Sequence, residues 1–276
     1  MRKVGFELEM SDILTQKAAE IVYGDLDLWV DRWSGYTKPE LDYTKWNLQS
    51  DGTIKNSNGT KCMSSYELDG KLHHARNGKK SPDRFLWQGA ELLSPILTDD
   101  SWKEQFDVFV GKFIEARATF NPDNQISIHV HVDISDFTFD EVKMIPKLVF
   151  NQQRALDLLG NDWRGRSFYT LHDVEVLSQA KYWEDYVHEL CRDRRLGRVY
   201  EITSSKARRI VNTLPYFEHK KTVEFRCFLP IPDTNYITDC FNLCIDLVES
   251  WKKGEPLDQG KFKEHLARID FYQPLV

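Results

Sequence analysis

The sequence predicts an α+β fold in which helices pack on one face of a largely antiparallel β-sheet. Two observations carry that expectation. Three well-separated segments alternate apolar and polar residues with period two, as strands with one buried face do, and the stretches between them space large apolar residues as helices do. At 276 residues, 41% hydrophobic and 29% charged, the chain can bury a substantial core as one large domain or two small ones.

The elements follow in order. Val4, Phe6, Leu8 and Met10 alternate with Gly5, Glu7 and Glu9, which predicts a first strand, and Ser11 is placed to cap a helix running to about Gly24. Residues 43–49 read as a strand ended by the turn pair Asp51-Gly52. Residues 55–84 are polar and rich in Gly, Asn, Lys and Ser, and read as a mobile loop or hairpin insertion, a candidate substrate-facing flap. A short strand over 85–94 closes at Ser94-Pro95. Trp102, Phe106, Phe109, Val110 and Phe113 have helical spacing within 99–118. Strands are expected at 126–134 and 222–229, and helices at 138–159, 179–191, 233–251 and 260–268.

Bulk properties exclude some functions. A formal net charge of −6 gives no general pull toward nucleic acid. The five cysteines are odd in number and form no Cys-x-x-Cys pair. Cys240 and Cys244 share a helix face, but among Phe241, Leu243, Ile245 and Leu247 they read as buried free thiols, which implies a reducing compartment. The N-terminus lacks an apolar run of signal-peptide length and no stretch approaches a membrane span, so a soluble, cytoplasmic protein without a membrane partner is expected.

Three strands carry polar pairs two residues apart: Glu7 and Glu9, His129 and His131 with Asp133, and Glu224 and Arg226. Side chains alternate along a strand, so each pair shares the face opposite its apolar neighbours. Each pair alone has an ordinary reading. Glu-x-Glu suits a solvated face, His-x-His a structural role, and Glu-x-Arg a cross-strand salt bridge. Together they point to a metal and phosphate site, because a solvated face would more often carry Lys, Thr and Ser. Carboxylate-heavy ligation favours Mg²⁺ or Mn²⁺ over zinc. Such an ion can bridge nucleotide phosphates while Arg226 neutralises charge on a transferred phosphoryl group. A histidine in this setting binds metal or donates to phosphate oxygens.

The residues GFELEM (5–10), Trp46 with Asp51-Gly52-Thr53, GAELLSP (89–95), IHVHVD (128–133), Asn212 and TVEFRCF (222–228) together resemble the amidoligase family, in the family's order and over nearly the whole chain. The resemblance implies a single catalytic domain over 1–276 with a bent, glutamine-synthetase-like sheet, and an ATP-dependent ligase that joins a carboxylate to an amine. By similarity to glutamine synthetases and glutamate–cysteine ligases, Glu7, Glu9, Glu91, His129 and Glu224 would hold metal, and His131 and Arg226 would meet the phosphates of ATP. Arg226, Glu7 and Asp51 would be the catalytic set. One departure stands out. Family members often place Gly directly before the His-x-His, where this chain has Ser127-Ile128. The substrates stay open among amino acids, peptides, a protein side chain and a modified nucleobase; nucleic acid enters only as a substrate.

GNDWRGRS (160–167) imitates a phosphate-binding loop, but Arg166 stands where Lys is required and the segment follows a helix. Arg164 and Arg166 remain candidates to reach ATP or a substrate carboxylate from a loop. The basic stretch 192–209 reads either as a solvated face or as a wall near an acidic ligand. Two rival functions use the same residues. A metal-dependent hydrolase would act without ATP, and a non-catalytic binding module would fail to bind Mg·ATP.

Overall fold

The computed structural model describes residues 2–24, 42–49, 54–57, 65–68, 71–74, 88–124, 126–159, 168–193, 198–199, 209–218 and 220–272. Its strands are β1 (Val4–Leu14), β2 (Asn47–Gln49), β3 (Ser65–Leu68), β4 (Lys71–His74), β5 (Gln88–Leu93), β6 (Ile128–Asp133), β7 (Arg192–Asp193), β8 (Arg198–Val199), β9 (Val211–Asn212) and β10 (Thr222–Phe228). The helices are α1 (Thr15–Tyr23), α2 (Trp102–Glu115), α3 (Phe139–Val142), α4 (Ile145–Phe150), α5 (Gln153–Asp157), α6 (Leu171–Gln179), α7 (Trp183–Leu190), α8 (Leu214–Phe217), α9 (Thr234–Lys252) and α10 (Gln259–Asp270). The fold is α+β. Its main sheet has six strands in the order β2-β5-β1-β6-β10-β9, with β2–β5, β5–β1 and β9–β10 paired antiparallel. Two small antiparallel pairs, β3–β4 and β7–β8, stand apart from it. The chain divides into two compact units.

The first unit comprises Gly5–Ile128 and Pro230–Thr234. Phe6, Leu8 and Met10 on β1 are at most 2% exposed. The Phe6 ring lies edge-on to Trp46, Trp102 and Phe106 at 5.8, 5.5 and 5.3 Å. Such edge contacts add roughly 0.5–1.5 kcal/mol each beyond burial. The five apolar residues of α2 with helical spacing are its buried face, as the sequence predicts. Gly5 lets β1 approach the end of β5: a Cβ there would sit 3.3 Å from the Ser94 hydroxyl oxygen, which accepts the Phe6 N–H at 2.9 Å.

The helix expected to begin after Ser11 starts at Thr15 instead, because β1 continues to Leu14. Ser11 does not cap it; its backbone exchanges two hydrogen bonds with Thr119. Asp12 adopts φ +60 where the β1–β5 register shifts. Its carboxylate accepts from the Ser57 N–H at 2.9 Å and from the Ser57 and Thr119 hydroxyls at 2.6 Å each, tying three separated segments together. The 55–84 insertion contains the antiparallel β3–β4 pair; much of the remainder lies outside the described residues.

The second unit comprises Met1–Val4, His129–Leu229 and Asn235–Val276. Trp251 of α9 stacks on Phe225 of β10, with centroids 5.5 Å apart, so this helix covers the apolar face of that strand. Edge strand β9 is held by the Tyr169 hydroxyl, which donates to the Val211 carbonyl at 2.9 Å. The Gln153 amide in turn pairs with both backbone groups of Tyr169, at 2.8 Å each. The continuous helix expected over 138–159 is three short ones, and Pro146, at the start of α4, cannot donate to a preceding turn. The helix expected over 179–191 begins at Trp183, and α6 precedes it with a Thr170–Asp173 capping box. Cys191, Cys227, Cys240 and Cys244 are buried free thiols. Burial raises the Cys240 and Cys244 pKa well above the ordinary thiol value. No helix among the described residues is long and apolar enough to cross a membrane.

The Asp12 knot gives a pH test. Burial opposes ionisation there, but the hydrogen bonds from Ser57 and Thr119 outweigh it and hold the carboxyl below its usual range. A depressed folded pKa stabilises above the unfolded value of about 3.9 and ceases to as pH falls through the folded one. Asn tolerates the same left-handed backbone. Asp12→Asn should therefore cost roughly 1–3 kcal/mol at pH 7, the scale of hydrogen bonds to a charged group, and progressively less as pH drops below about 4. Urea melts of both proteins at pH 7 and pH 3 measure the difference.

Candidate functional site

Locking the apolar faces of the strands forces their polar residues onto the other face. That face is not solvated as simple alternation implies. Glu7, Glu9, Glu91, His129, His131 and Glu224 are all between 1% and 8% exposed, as closed off as the apolar side chains beside them.

In the first unit Glu7 and Glu9 come from β1 and Glu91 from β5. The antiparallel register sets Glu9 directly opposite Glu91, with Glu7 opposite Leu93. β2 extends the row on the other side of β5, where Gln49 is opposite Glu91. Gln49 Nε2 donates to Glu91 Oε2 at 2.9 Å, and the Ser127 hydroxyl donates to Glu9 Oε2 at 2.8 Å. Both donors are neutral. Like charges directly opposite on paired strands are destabilising, and burial amplifies the repulsion. A pair of cross-strand buried carboxylates with neutral donors and a third carboxylate two residues along suits a hard divalent cation.

The second unit brings together a different set. His129 and His131 lie on β6, and Glu224 and Arg226 on β10. Glu224 Oε1 contacts Arg226 Nη1 and lies 3.5 Å from His129 Nδ1. Arg226 Nη1 is in turn 3.4 Å from that ring nitrogen. The other carboxylate oxygen of Glu224, Oε2, accepts from Asn212 Nδ2 at 2.7 Å. The register sets Asn212 opposite Glu224, and the Asn212 side-chain oxygen takes the Leu214 N–H at 3.1 Å. His131 Nδ1 lies 3.0 Å from the Thr222 hydroxyl. Arg226 keeps 20% of its side chain exposed, against 3% for Glu224.

Asp51, Arg164 and Arg166 lie outside the described residues. Of the basic stretch 192–209, Arg192 lies 3.6 Å from Glu189 and Arg209 3.9 Å from Asp173, while most of the remainder is likewise outside them. Sequence reasoning assigned no role to Gln49, Ser127 or Asn212. Ser127 was visible as a departure from the family pattern and Asn212 as part of the motif set, whereas nothing local distinguishes Gln49.

A family model described as "Putative amidoligase enzyme" matches residues 1–248. No curated protein and no solved structure matches the chain.

The buried carboxylates predict an inverted stability response. Leu8→Ala, on the apolar face of β1, should cost about 2–5 kcal/mol. Glu9→Gln keeps an oxygen for the Ser127 hydroxyl but removes one of two opposed charges. In excess chelator it should match the parent or exceed it by up to about 1 kcal/mol. Thermal melts in chelator check this, and a loss of more than about 2 kcal/mol would mark Glu9 as a structural ion-pair partner.

Proposed function

Because the chain belongs to the amidoligase family, and is therefore a ligase, we propose that it is an ATP-dependent carboxylate–amine ligase that works through an acyl phosphate. The observation that carries this reading is the burial of Glu7, Glu9, Glu91, His129 and Glu224 at the motif positions themselves. In this proposal Glu7, Glu9 and Glu91 of the first unit and His129 and Glu224 of the second are the ion-holding residues. Mg²⁺ or Mn²⁺ held by these residues would screen the phosphates of ATP against an approaching anionic carboxylate.

The chemistry proceeds in two displacements. A substrate carboxylate oxygen attacks the γ-phosphorus, its bond to the β-phosphate oxygen breaks, and ADP leaves. An amine nitrogen then attacks the acyl carbon, the carbon–oxygen bond to phosphate breaks, and the amine loses a proton as the amide forms. Arg226 supplies two-pronged donation to the phosphoryl oxygens during transfer. His131 donates to phosphate. Asp51, Arg164 and Arg166 are proposed as further contacts to the substrates or ATP. The carboxylate and amine come from amino acids, peptides, a protein side chain or a modified nucleobase.

Incubation with ATP, Mg²⁺ and pools of acids and amines should give products whose mass is the sum of acid and amine less one water, with ADP and phosphate released. Hydrolysis without ATP would favour a metal hydrolase instead, and no Mg·ATP binding a non-catalytic module. Glu224→Gln should lower turnover by about 100-fold or more, the scale of losing a significant transition-state contact.

Arg226→Lys is the sharper test. Lys keeps the charge beside Glu224 but loses the planar fork, so turnover should fall strongly while the melting temperature changes little. Lys would largely replace Arg as the cation beside the buried Glu224 carboxylate, so that carboxylate stays compensated. Near-normal turnover of the Lys variant would remove Arg226 from the phosphate-binding set.

A further inference from the structure

We infer that Arg209 anchors a second ligand site, which takes a small oxyanion, carboxylate or phosphate, against the face of β9 turned away from Glu224 and Arg226. This site does not depend on the ligase reading. Arg209 lies in the second unit, directly before β9, and its side chain is 14% exposed. Among the described residues no acceptor takes a hydrogen bond from its guanidinium, and its Nε is buried without a partner. A guanidinium carries five N–H donors in a rigid fork, and withdrawing them from water without acceptors is costly.

The groups around Arg209 do not supply what is missing. Asp173 is the one carboxylate within 4 Å of it among the described residues. Its Oδ2 stands 3.9 Å from Arg209 Nη2, too far for a hydrogen bond, and already accepts the Thr170 N–H at 2.8 Å in the capping box of α6. The Tyr169 ring lies against the guanidinium, whose Cζ is 5.9 Å from the ring centroid. Burial raises the pKa of the Tyr169 and Tyr186 phenols and of the Cys191 thiol, so all three stay neutral beside the cation. Both phenols are also committed, Tyr169 to the Val211 carbonyl at 2.9 Å and Tyr186 to the Thr213 hydroxyl at 3.0 Å. What remains is a cation among aromatic side chains with its donors unfilled. A planar fork in that setting recognises a carboxylate or a phosphate.

Strand alternation separates this site from the one proposed for phosphoryl transfer. The Ile210 carbonyl accepts the Arg226 N–H at 2.9 Å, and the Asn212 side chain reaches the Glu224 carboxylate. Arg209, Val211 and Thr213 alternate with these two residues, and the Thr213 hydroxyl meets Tyr186 of α7. An anion on Arg209 therefore sits where Tyr169 and Tyr186 fasten β9 from behind.

The test follows thermal melts of the full chain titrated with sodium phosphate and, separately, sodium acetate, at an ionic strength fixed with chloride. The proteins are the parent, Arg209→Met and Arg209→Lys. Phosphate also strengthens burial in any protein, so the readout is the difference between parent and variant at each concentration. With at least one anion the parent's melting temperature should rise above that of Arg209→Met along a saturating curve, as for a ligand that binds only the folded chain. The anion with the larger difference identifies a phosphoryl or a carboxylate ligand. Arg209→Lys keeps the charge and loses the fork, so it should need about 10-fold more anion for the same rise, the scale of one hydrogen bond to a charged group. In chloride alone Arg209→Met should melt within about 4 °C of the parent, because it removes a buried charge that has no hydrogen-bond acceptor. A larger fall, or failure to fold, would overturn the site and mark Arg209 as the structural partner of Asp173. Equal curves for parent and Arg209→Met with both anions would overturn it as well.

Discussion

Two buried carboxylates, Glu9 and Glu91, face each other across a pair of antiparallel strands, and the strands cannot relax to separate them. A slip of one residue would carry Phe6, Leu8 and Met10 off their apolar contacts and put every glutamate into the core. The aromatic group around Phe6 therefore does more than stabilise β1. It fixes the register that opposes the two charges. Repulsion between them is the local disadvantage that a bound cation would convert into affinity, which is the sense in which the apolar face of β1 sets up the polar one.

The two units contribute different chemistry to this reading. The first offers carboxylates held by neutral donors, suited to attracting a cation. The second combines a carboxylate, an imidazole and a guanidinium within hydrogen-bonding range, suited to a ligand that carries both a metal and phosphate oxygens. A carboxylate–amine ligase needs both properties, since it must bring one anion to attack another. Neither a solvated Glu-x-Glu face nor an ordinary cross-strand salt bridge explains why these groups are buried to the same degree as leucines.

Much of this was legible in the sequence because strand periodicity is a local code. The alternation in GFELEM and TVEFRCF places each polar residue on its face without reference to any distant contact, and the spacing from Trp102 to Phe113 did the same for α2. The long-range pairings were not legible. Ser11 looked like a cap because Ser precedes helices, but the pairing with Thr119, more than a hundred residues away, continues the strand past it. Gln49 opposes Glu91 only through the strand register. Ser127 stands out in the sequence only by the Gly it replaces, and its hydroxyl reaches Glu9 only once the two segments are adjacent. The break in the helix expected over 138–159 is a local feature, since Pro146 lacks the N–H that a continuous helix needs there.

Arg226 and Glu224 clarify how such a group remains folded without its ligands. Glu224 has a buried carboxylate, and an uncompensated buried charge is strongly destabilising. Arg226 neutralises it from the same strand face, two residues along, while Asn212 holds the far oxygen. On the ligase reading, Mg·ATP offers each residue an alternative partner of the sign it already has: the cation for Glu224 and the phosphate oxygens for Arg226. The exchange leaves neither charge bare, so the internal ion pair holds both residues in place until substrates arrive. Partial exposure of Arg226 is what that exchange requires, because a guanidinium buried as deeply as its partner could not leave it for a ligand. Asn212 has the complementary task. By remaining on Oε2 it keeps the Glu224 carboxylate oriented while the partner on Oε1 changes.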